Sequence, residues 1–244
     1  MRSAWRSDPG PIRVNNEDRV LTDERNGVFL LADGMGGGPG GEVASALAVT
    51  TASDILLNGL SERVTEVDIP GLMTEALEAA HAAVFKRTLA DPSLEGMGTT
   101  LDMVVVSRDR LFTCHVGDSR IYLFRRGILR QITSDDNYAA VLAVSEKIPS
   151  HLIPTGYRHI LTQAVGLSAE LMPEIQSLEI QAGDILLMCS DGLTEVLRDN
   201  EIEEIIGRVR DDLDTLAEAL IIASNNGGAT DNVSLALIEP HFSP

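Results

Sequence analysis

The chain has 244 residues, 44% of them hydrophobic and 23% charged, with a formal net charge of −18 and a pI near 4.5. That apolar content excludes a disordered chain and suffices for a sizeable core, most simply as one domain over 1–244. A field of that sign disfavours nucleic acid and anionic membranes as partners, and it repels a phosphorylated substrate too unless cations sit at the site.

In chain order, residues 28–32 (VFLLA) form a continuous apolar run ended by Asp33-Gly34, which reads as a buried strand. The glycines that follow open a helix with Ala44, Leu47, Ala48, Thr51 and Ile55 on one face. A second helix is predicted from Pro70, with Met73, Ala76, Leu77, Ala80 and Val84 on its apolar side. From Thr99 the pattern changes to strands. Residues 101–106 form one, and 111–116, 121–124 and 128–132 read as an antiparallel meander turning at Gly117-Asp118 and Arg126-Gly127. Residues 135–157 carry little regular pattern and are expected to make a long surface segment. Strands resume at 175–180 and 185–189. A helix follows with Asn200 and Glu203 in capping-box positions and Ile202, Ile205, Ile206 and Val209 behind them. A last helix carries Leu213, Leu216, Ala217 and Leu220, and 233–238 closes the chain as a strand.

Strands and helices do not alternate, which excludes a doubly wound parallel sheet. An α+β fold is expected: two mainly antiparallel sheets face to face, each backed by a helix pair, in an α-β-β-α sandwich. No uninterrupted apolar run reaches the roughly 20 residues of a bilayer span, and the N-terminus lacks a signal peptide's apolar stretch, so a cytoplasmic protein is expected. Cys114 and Cys189 lie in strand-like runs and are expected to be buried free thiols, being too few for a disulfide framework or a zinc site. Met97 and Met103 read as core. His115, beside the Val116-Gly117-Asp118 turn, is expected to be a hydrogen-bonded structural residue among scattered histidines (His81, His151, His159, His241).

Four aspartates occupy one kind of position, the end of an apolar run near a turn: Asp33, Asp118, Asp191 and Asp231. A strand end is a rigid mount, and a neighbouring glycine lets the backbone turn sharply. Carboxylates converging from four such mounts repel one another unless hard divalent cations neutralise them, and all-oxygen coordination suits Mg2+ and Mn2+. Such ions, about 3.5–4 Å apart, activate water and clamp phosphate oxygens, which reconciles an acidic chain with an anionic substrate. Upstream, Arg13 is suited to bind phosphate bidentately, and Glu17 and Asp18 to reach metals directly or through water. The run Gly36-Gly37-Gly38-Pro39-Gly40-Gly41 satisfies the dinucleotide fingerprint, but a helix rather than a parallel strand comes next, so no βαβ unit forms.

The ordered set Arg13-x-x-Asn16-Glu17-Asp18, Asp33-Gly34-Met35-Gly36-Gly37, Gly98-Thr99-Thr100, Val116-Gly117-Asp118-Ser119-Arg120, Ser190-Asp191-Gly192 and Asp231-Asn232 resembles the PPM family, the metal-dependent 2C-type protein phosphatases. The resemblance spans about 10–238 and is nearest to the compact bacterial branch. It implies a serine/threonine phosphatase using two or three Mn2+ or Mg2+ ions and opposing a bacterial kinase, with a phosphoprotein as partner and a monomer as the expected state. It implies that Asp33 bridges two ions, that the Gly34 carbonyl binds one, that Asp191 and Asp231 complete the pair, and that Asp118 with Asp191 holds a third. Arg13 would hold the substrate phosphate. Glu17 and Asp18 would act directly or through water, Asn232 would orient its neighbours, and Thr99 and Thr100 would be structural. Two departures stand out: Met35 replaces the histidine of eukaryotic members, and Ile132-Thr133-Ser134-Asp135-Asp136-Asn137 replaces the usual Leu-Thr-x-Asp-His-Ser. A partner-binding sandwich without activity is the competing reading; the presence of Asp33, Asp191 and Asp231 counts against it. Arg13 counts against a phosphatase dedicated to an anti-sigma-factor antagonist.

Overall fold

Alternation along β3 (Val28–Met35) sets the layering. Val28, Leu30 and Ala32 join one buried cluster, while Phe29 and Leu31 join another, as a strand with both faces covered requires. The computed structural model describes residues 1–36, 40–61, 68–149 and 152–240. Gly37, Gly38 and Pro39 of the glycine run, and His151 and His241, lie outside the described residues.

One sheet contains, in order, β2 (Asp18–Asp23), β3, β5 (Leu101–Ser107), β6 (Arg110–Val116) and β9 (Glu174–Glu179), with the short β4 (Gly98–Thr99) paired to β3. The other contains β1 (Arg2–Asp8), β11 (Val233–Glu239), β10 (Ile185–Cys189), β7 (Arg120–Arg125) and β8 (Ile128–Gln131). All these pairings are antiparallel. Helices α1 (Gly40–Ser61) and α2 (Ile69–Ala90) cover the first sheet through a cluster that includes Ala48, Ala52, Met73, Leu77, Met97 and Met103. Helices α5 (Asp199–Val209) and α6 (Leu213–Asn226) cover the second through Ile202, Ile206, Leu216 and Leu220. Between the sheets lies a third cluster, with Phe29, Leu31, Val104, Ile121, Leu186, Met188, Ala236 and Ile238. The α-β-β-α order is therefore present, and Cys114 and Cys189 are buried free thiols within it.

Several expectations need correction. The strands 111–116 and 121–124 do not pair: β6 bonds to β5 and β9, and β7 to β8 and β10. The Gly117-Asp118 turn is instead the crossing from one sheet to the other, which a run of strand-like segments cannot distinguish from a hairpin. Strands β1 and β2 carry too few apolar residues to announce themselves; each lies at a sheet edge and is only partly covered. Within 135–157 a helix, α3 (Tyr138–Ser145), stands on an Asn137 cap whose side chain accepts from Ala140 N. Its Tyr138, Val141 and Val144 are exposed, so no amphipathic stripe marks it. The cap of α5 lies two residues earlier than expected: the Glu201 carboxylate accepts from Arg198 N at 2.9 Å. Finally, α1 is long and apolar enough to cross a bilayer, contrary to the run-length reading, because small residues interrupt its apolar stretches without making it polar. Ala44, Ala48, Ala52 and Leu56 are buried at four-residue spacing in the cluster shared with β3 and α2, the pattern of a core helix.

Candidate active site

A cavity of about 400 Å³ opens at one end of the sandwich. Asp33 enters it from the end of β3, Asp118 from the β6–β7 crossing, Asp191 from the first turn of α4 (Asp191–Thr194), and Asp231 from just before β11. Arg13 and Glu17 come from the loop between β1 and β2, and Gly34 lies beneath. The inter-sheet crossing places Asp118 here, where a hairpin would have turned it elsewhere.

Backbone bonds hold each mount. Asp33 N donates to Thr100 Oγ1 at 2.9 Å, and Asp33 O accepts from Thr100 N at 2.9 Å and from Thr99 Oγ1 at 2.8 Å. The Thr100 and Ser119 hydroxyls lie 2.9 Å apart, tying β3 to the crossing loop. Gly34 permits the close approach: a Cβ there would lie 2.1 Å from Gly41 O and 2.6 Å from Glu17 O. At Gly192 a Cβ would fall 2.0 Å from Asn232 O, so only glycine lets α4 pack on the backbone between Asp231 and β11.

Asn232 is buried and does not line the cavity. Its Oδ1 accepts from Glu17 N at 2.8 Å, and its Nδ2 donates to Pro9 O at 3.0 Å and Asn15 O at 2.9 Å. It therefore fixes the loop that carries Arg13 and Glu17. Asp18 lies under the floor, opposite Asp33 in the β2–β3 ladder. Its Oδ2 accepts from Ser190 Oγ at 2.9 Å, while its buried Oδ1 has no hydrogen-bond partner among the described residues.

These carboxyls are displaced from their ordinary range. Burial, then the charges of Asp18, Asp191, Asp118 and Asp231, push Asp33 well up, although its cleft face is open to water. Burial and Asp118, Glu195, Asp231 and Asp18 do the same to Asp191. Asp118 rises to about 7 through burial and Asp135, and Asp18 to about 6, chiefly through burial. Burial raises Glu17, against the pull of Arg13. A site whose acids force one another toward protonation is matched to divalent cations: the donors are hard oxygens, and beside Asp33 the buried Asp18 Oδ1 lacks a hydrogen-bond partner among the described residues. Arg13, half exposed, donates from Nη2 to Asp231 Oδ2 at 2.7 Å and from Nε to Thr230 O at 3.2 Å.

The atypical segment after β8 serves as support. Asp135 accepts bidentately from Arg120, Nε to Oδ1 at 2.8 Å and Nη2 to Oδ2 at 2.7 Å. Asp136 Oδ2 accepts from Gly117 N at 2.9 Å. His115 is the structural histidine expected, buried against Asp102 and Ser134 O. Sequence reasoning missed His159 and Leu161, which line the cavity, and Glu195 beside them. The four-residue spacing of Asp191 and Glu195 was the available signal for Glu195; nothing marked His159.

Residues 14–226 match the sequence profile of the protein phosphatase 2C family. The serine/threonine protein phosphatase PstP of Mycobacterium tuberculosis is 36% identical over 98% of this chain, which spans 45% of that protein, so the chain covers about half the length of the first curated relatives it matches. The serine/threonine phosphatase stp of Listeria monocytogenes is 31% identical over 98% of this chain and 96% of its own length. The crystal structure of the M. tuberculosis phosphatase superposes with a TM-score of 0.88 over 98% of this chain and 97% of that one, at 36% identity. The catalytic domain of a serine/threonine protein phosphatase PstP in complex with two manganese ions superposes with a TM-score of 0.85, at 35% identity, over 98% and 97% of the two chains.

Proposed function

Because the chain belongs to the protein phosphatase 2C family, we propose that it is a metal-dependent serine/threonine protein phosphatase, with residues 1–244 acting as one catalytic domain. The convergence of Asp33, Asp118, Asp191 and Asp231 on one cavity, each raised in pKa or charging its neighbours, carries this reading. Asp33, the Gly34 carbonyl, Asp191 and Asp231 would hold a pair of Mn2+ or Mg2+ ions, and Asp118 with Asp191 a third, looser one. Bound there, the ions would supply an activated water and a clamp for phosphate oxygens.

The chain's own residues do the rest. Arg13 sits at the rim, and its guanidinium binds two phosphate oxygens once it leaves Asp231. Asn232 keeps Arg13 and Glu17 in register by holding their loop at three points. Thr99 and Thr100 fix the backbone of Asp33, so its carboxylate needs no reorganisation when substrate arrives. Glu17 and Asp18 orient through water or through neighbours such as Ser190. A phosphoprotein substrate, a bacterial Ser/Thr kinase as the opposing enzyme, a cytoplasmic setting and a monomeric state complete the proposal.

Hydrolysis of a phosphothreonine peptide and of p-nitrophenyl phosphate, with EDTA, Mg2+ or Mn2+, tests it. Activity should require the metal, and Asp33→Asn should lower kcat by about a hundredfold or more. An unchanged rate in folded Asp33→Asn would sink the site assignment.

A further inference from the structure

We propose that the groove between α2 and residues 169–173 is a docking site for a cationic, amphipathic segment of a partner protein. It goes beyond the phosphatase reading and shares no residue with the aspartate cavity. The groove encloses about 360 Å³. Leu77, Leu171 and Pro173 give it apolar walls, and Glu78 and Glu170, both exposed, stand at its rim.

Helix α2 carries two apolar lines, and the core uses only one. Met73, Ala76, Ala80 and Val84 are buried in the cluster under the first sheet. Leu77 joins them, but it also starts a second line at four-residue spacing: Leu77, His81, Phe85 and Leu89. Exposure grows along it, from buried Leu77 through half-buried His81 to half-exposed Phe85 and exposed Leu89. The His81 and Phe85 rings stack with centroids 6.4 Å apart. Leu167 and Met172 add exposed apolar surface on the segment opposite. Apolar surface of this extent left in water marks an interaction face.

The wall opposite α2 is already in place. Gly166 N donates to His81 Nδ1 at 3.0 Å, so the ring is neutral with its proton on Nε2, a state that burial also favours by lowering its pKa. Met172 N donates to Gln163 Oε1 at 2.9 Å, and Met172 O accepts from Gln163 Nε2 at 3.1 Å. A preformed groove spares a guest the ordering cost of its host.

Charge selects the guest. Among the described residues no lysine or arginine lines the groove. At about 100° per residue, Lys86 and Arg87 fall away from the line of His81 and Phe85, and Arg87 is paired with Asp91. With His81 neutral, Glu78 and Glu170 are the charges of the lining. A guest therefore needs Lys or Arg beside its apolar side chains, to place cations on an acidic rim.

A fluorescein-labelled leucine–lysine amphipathic peptide and its leucine–glutamate counterpart are titrated with protein and followed by fluorescence anisotropy. Wild type should bind the lysine peptide and not the glutamate one. Glu78→Lys/Glu170→Lys should weaken binding by about tenfold or more, since like charges then meet across the contact. Phe85→Ala should weaken it by about fivefold. Glu204→Lys/Asp211→Lys reverses two exposed acids beside the helices of the other sheet, and screening should hold its effect to about twofold or less. Asp33→Asn should bind like wild type, which separates failure here from failure of the phosphatase reading. Hydrogen exchange of residues 166–173 should slow with the lysine peptide bound. No binding at about 0.1 mM protein, equal binding of the two peptides, unchanged exchange in 166–173, or equal weakening by the two pairs of charge reversals would overturn the proposal; the last would leave only the acidic field of the whole chain.

Discussion

Substituting Asp102 tests the charge state of the layer between the sheets. Asp102 and His115 are direct cross-strand partners on β5 and β6, both fully buried, with His115 Nδ1 2.6 Å from Asp102 Oδ1 and Nε2 3.0 Å from Ser134 O. A carbonyl only accepts, so Nε2 carries a proton; the carboxylate holds a second on Nδ1, and the pair is imidazolium–carboxylate. Burial alone would lower His115. The charge and hydrogen bond of Asp102 outweigh it, with help from Asp136 and Glu174, and bring it up to about 9. A rise from about 6.5 to about 9 corresponds to about 3 kcal/mol, an upper figure because burial pushes Asp102 upward as well. The folded pKa of His115 lies above its unfolded value. Its contribution is therefore whole below about pH 6.5 and is lost as pH rises through about 9. Asp102→Ala leaves a buried imidazolium without its counter-ion and should cost about 3–5 kcal/mol, or about 10 °C in Tm. Asp102→Asn can donate its amide to Nδ1 of a neutral ring and keep both hydrogen bonds, so at pH 10, where the wild-type ring has lost its charge as well, it should cost about 1 kcal/mol or less. Urea unfolding of wild type and Asp102→Asn at fixed Mg2+ between pH 6 and 10 gives the difference profile. It should favour wild type at pH 6 and close by about 3 kcal/mol by pH 10. A flat difference, or an asparagine variant as damaged as the alanine one, would refute the charged pair.

Asn232→Ala should remove three bonds from the loop bearing Arg13 and Glu17, costing about 1–3 kcal/mol in urea unfolding. It should raise KM for a phosphopeptide by about three- to tenfold, more than it lowers kcat; an unchanged KM would separate the loop from substrate binding. In EDTA-stripped protein the folded pKa values of Asp118, about 7, and Asp18, about 6, exceed the ordinary 3.8. Stability should therefore rise as pH falls through 7 and 6, the reverse of a salt-bridged carboxylate. Adding Mn2+ at pH 8 should raise Tm in a concentration-dependent way, and scanning calorimetry checks both trends.

The sequence alone determined the four-layer class and where most of the acids sit. A strand covered on both faces declares itself as a continuous apolar run, as β3 does, and a helix by an apolar stripe on its one covered face, as α1 and α6 do, because hydrophobic period follows backbone geometry directly. Asp33, Asp191 and Asp231 were legible for the same reason: each ends or precedes an apolar run. What stayed hidden was weakly patterned. Edge strands β1 and β2 are half solvated, and α3 exposes its apolar side chains, so burial leaves no period in their sequences. Only the tertiary structure decided that Gly117 crosses between sheets, that Asp102 and His115 meet in the inter-sheet layer, and that His159 reaches Glu195 from a different part of the chain. Those placements depend on which strands pair and how two sheets stack. Such choices are made by the summed burial of distant segments, and no local stretch of sequence carries them.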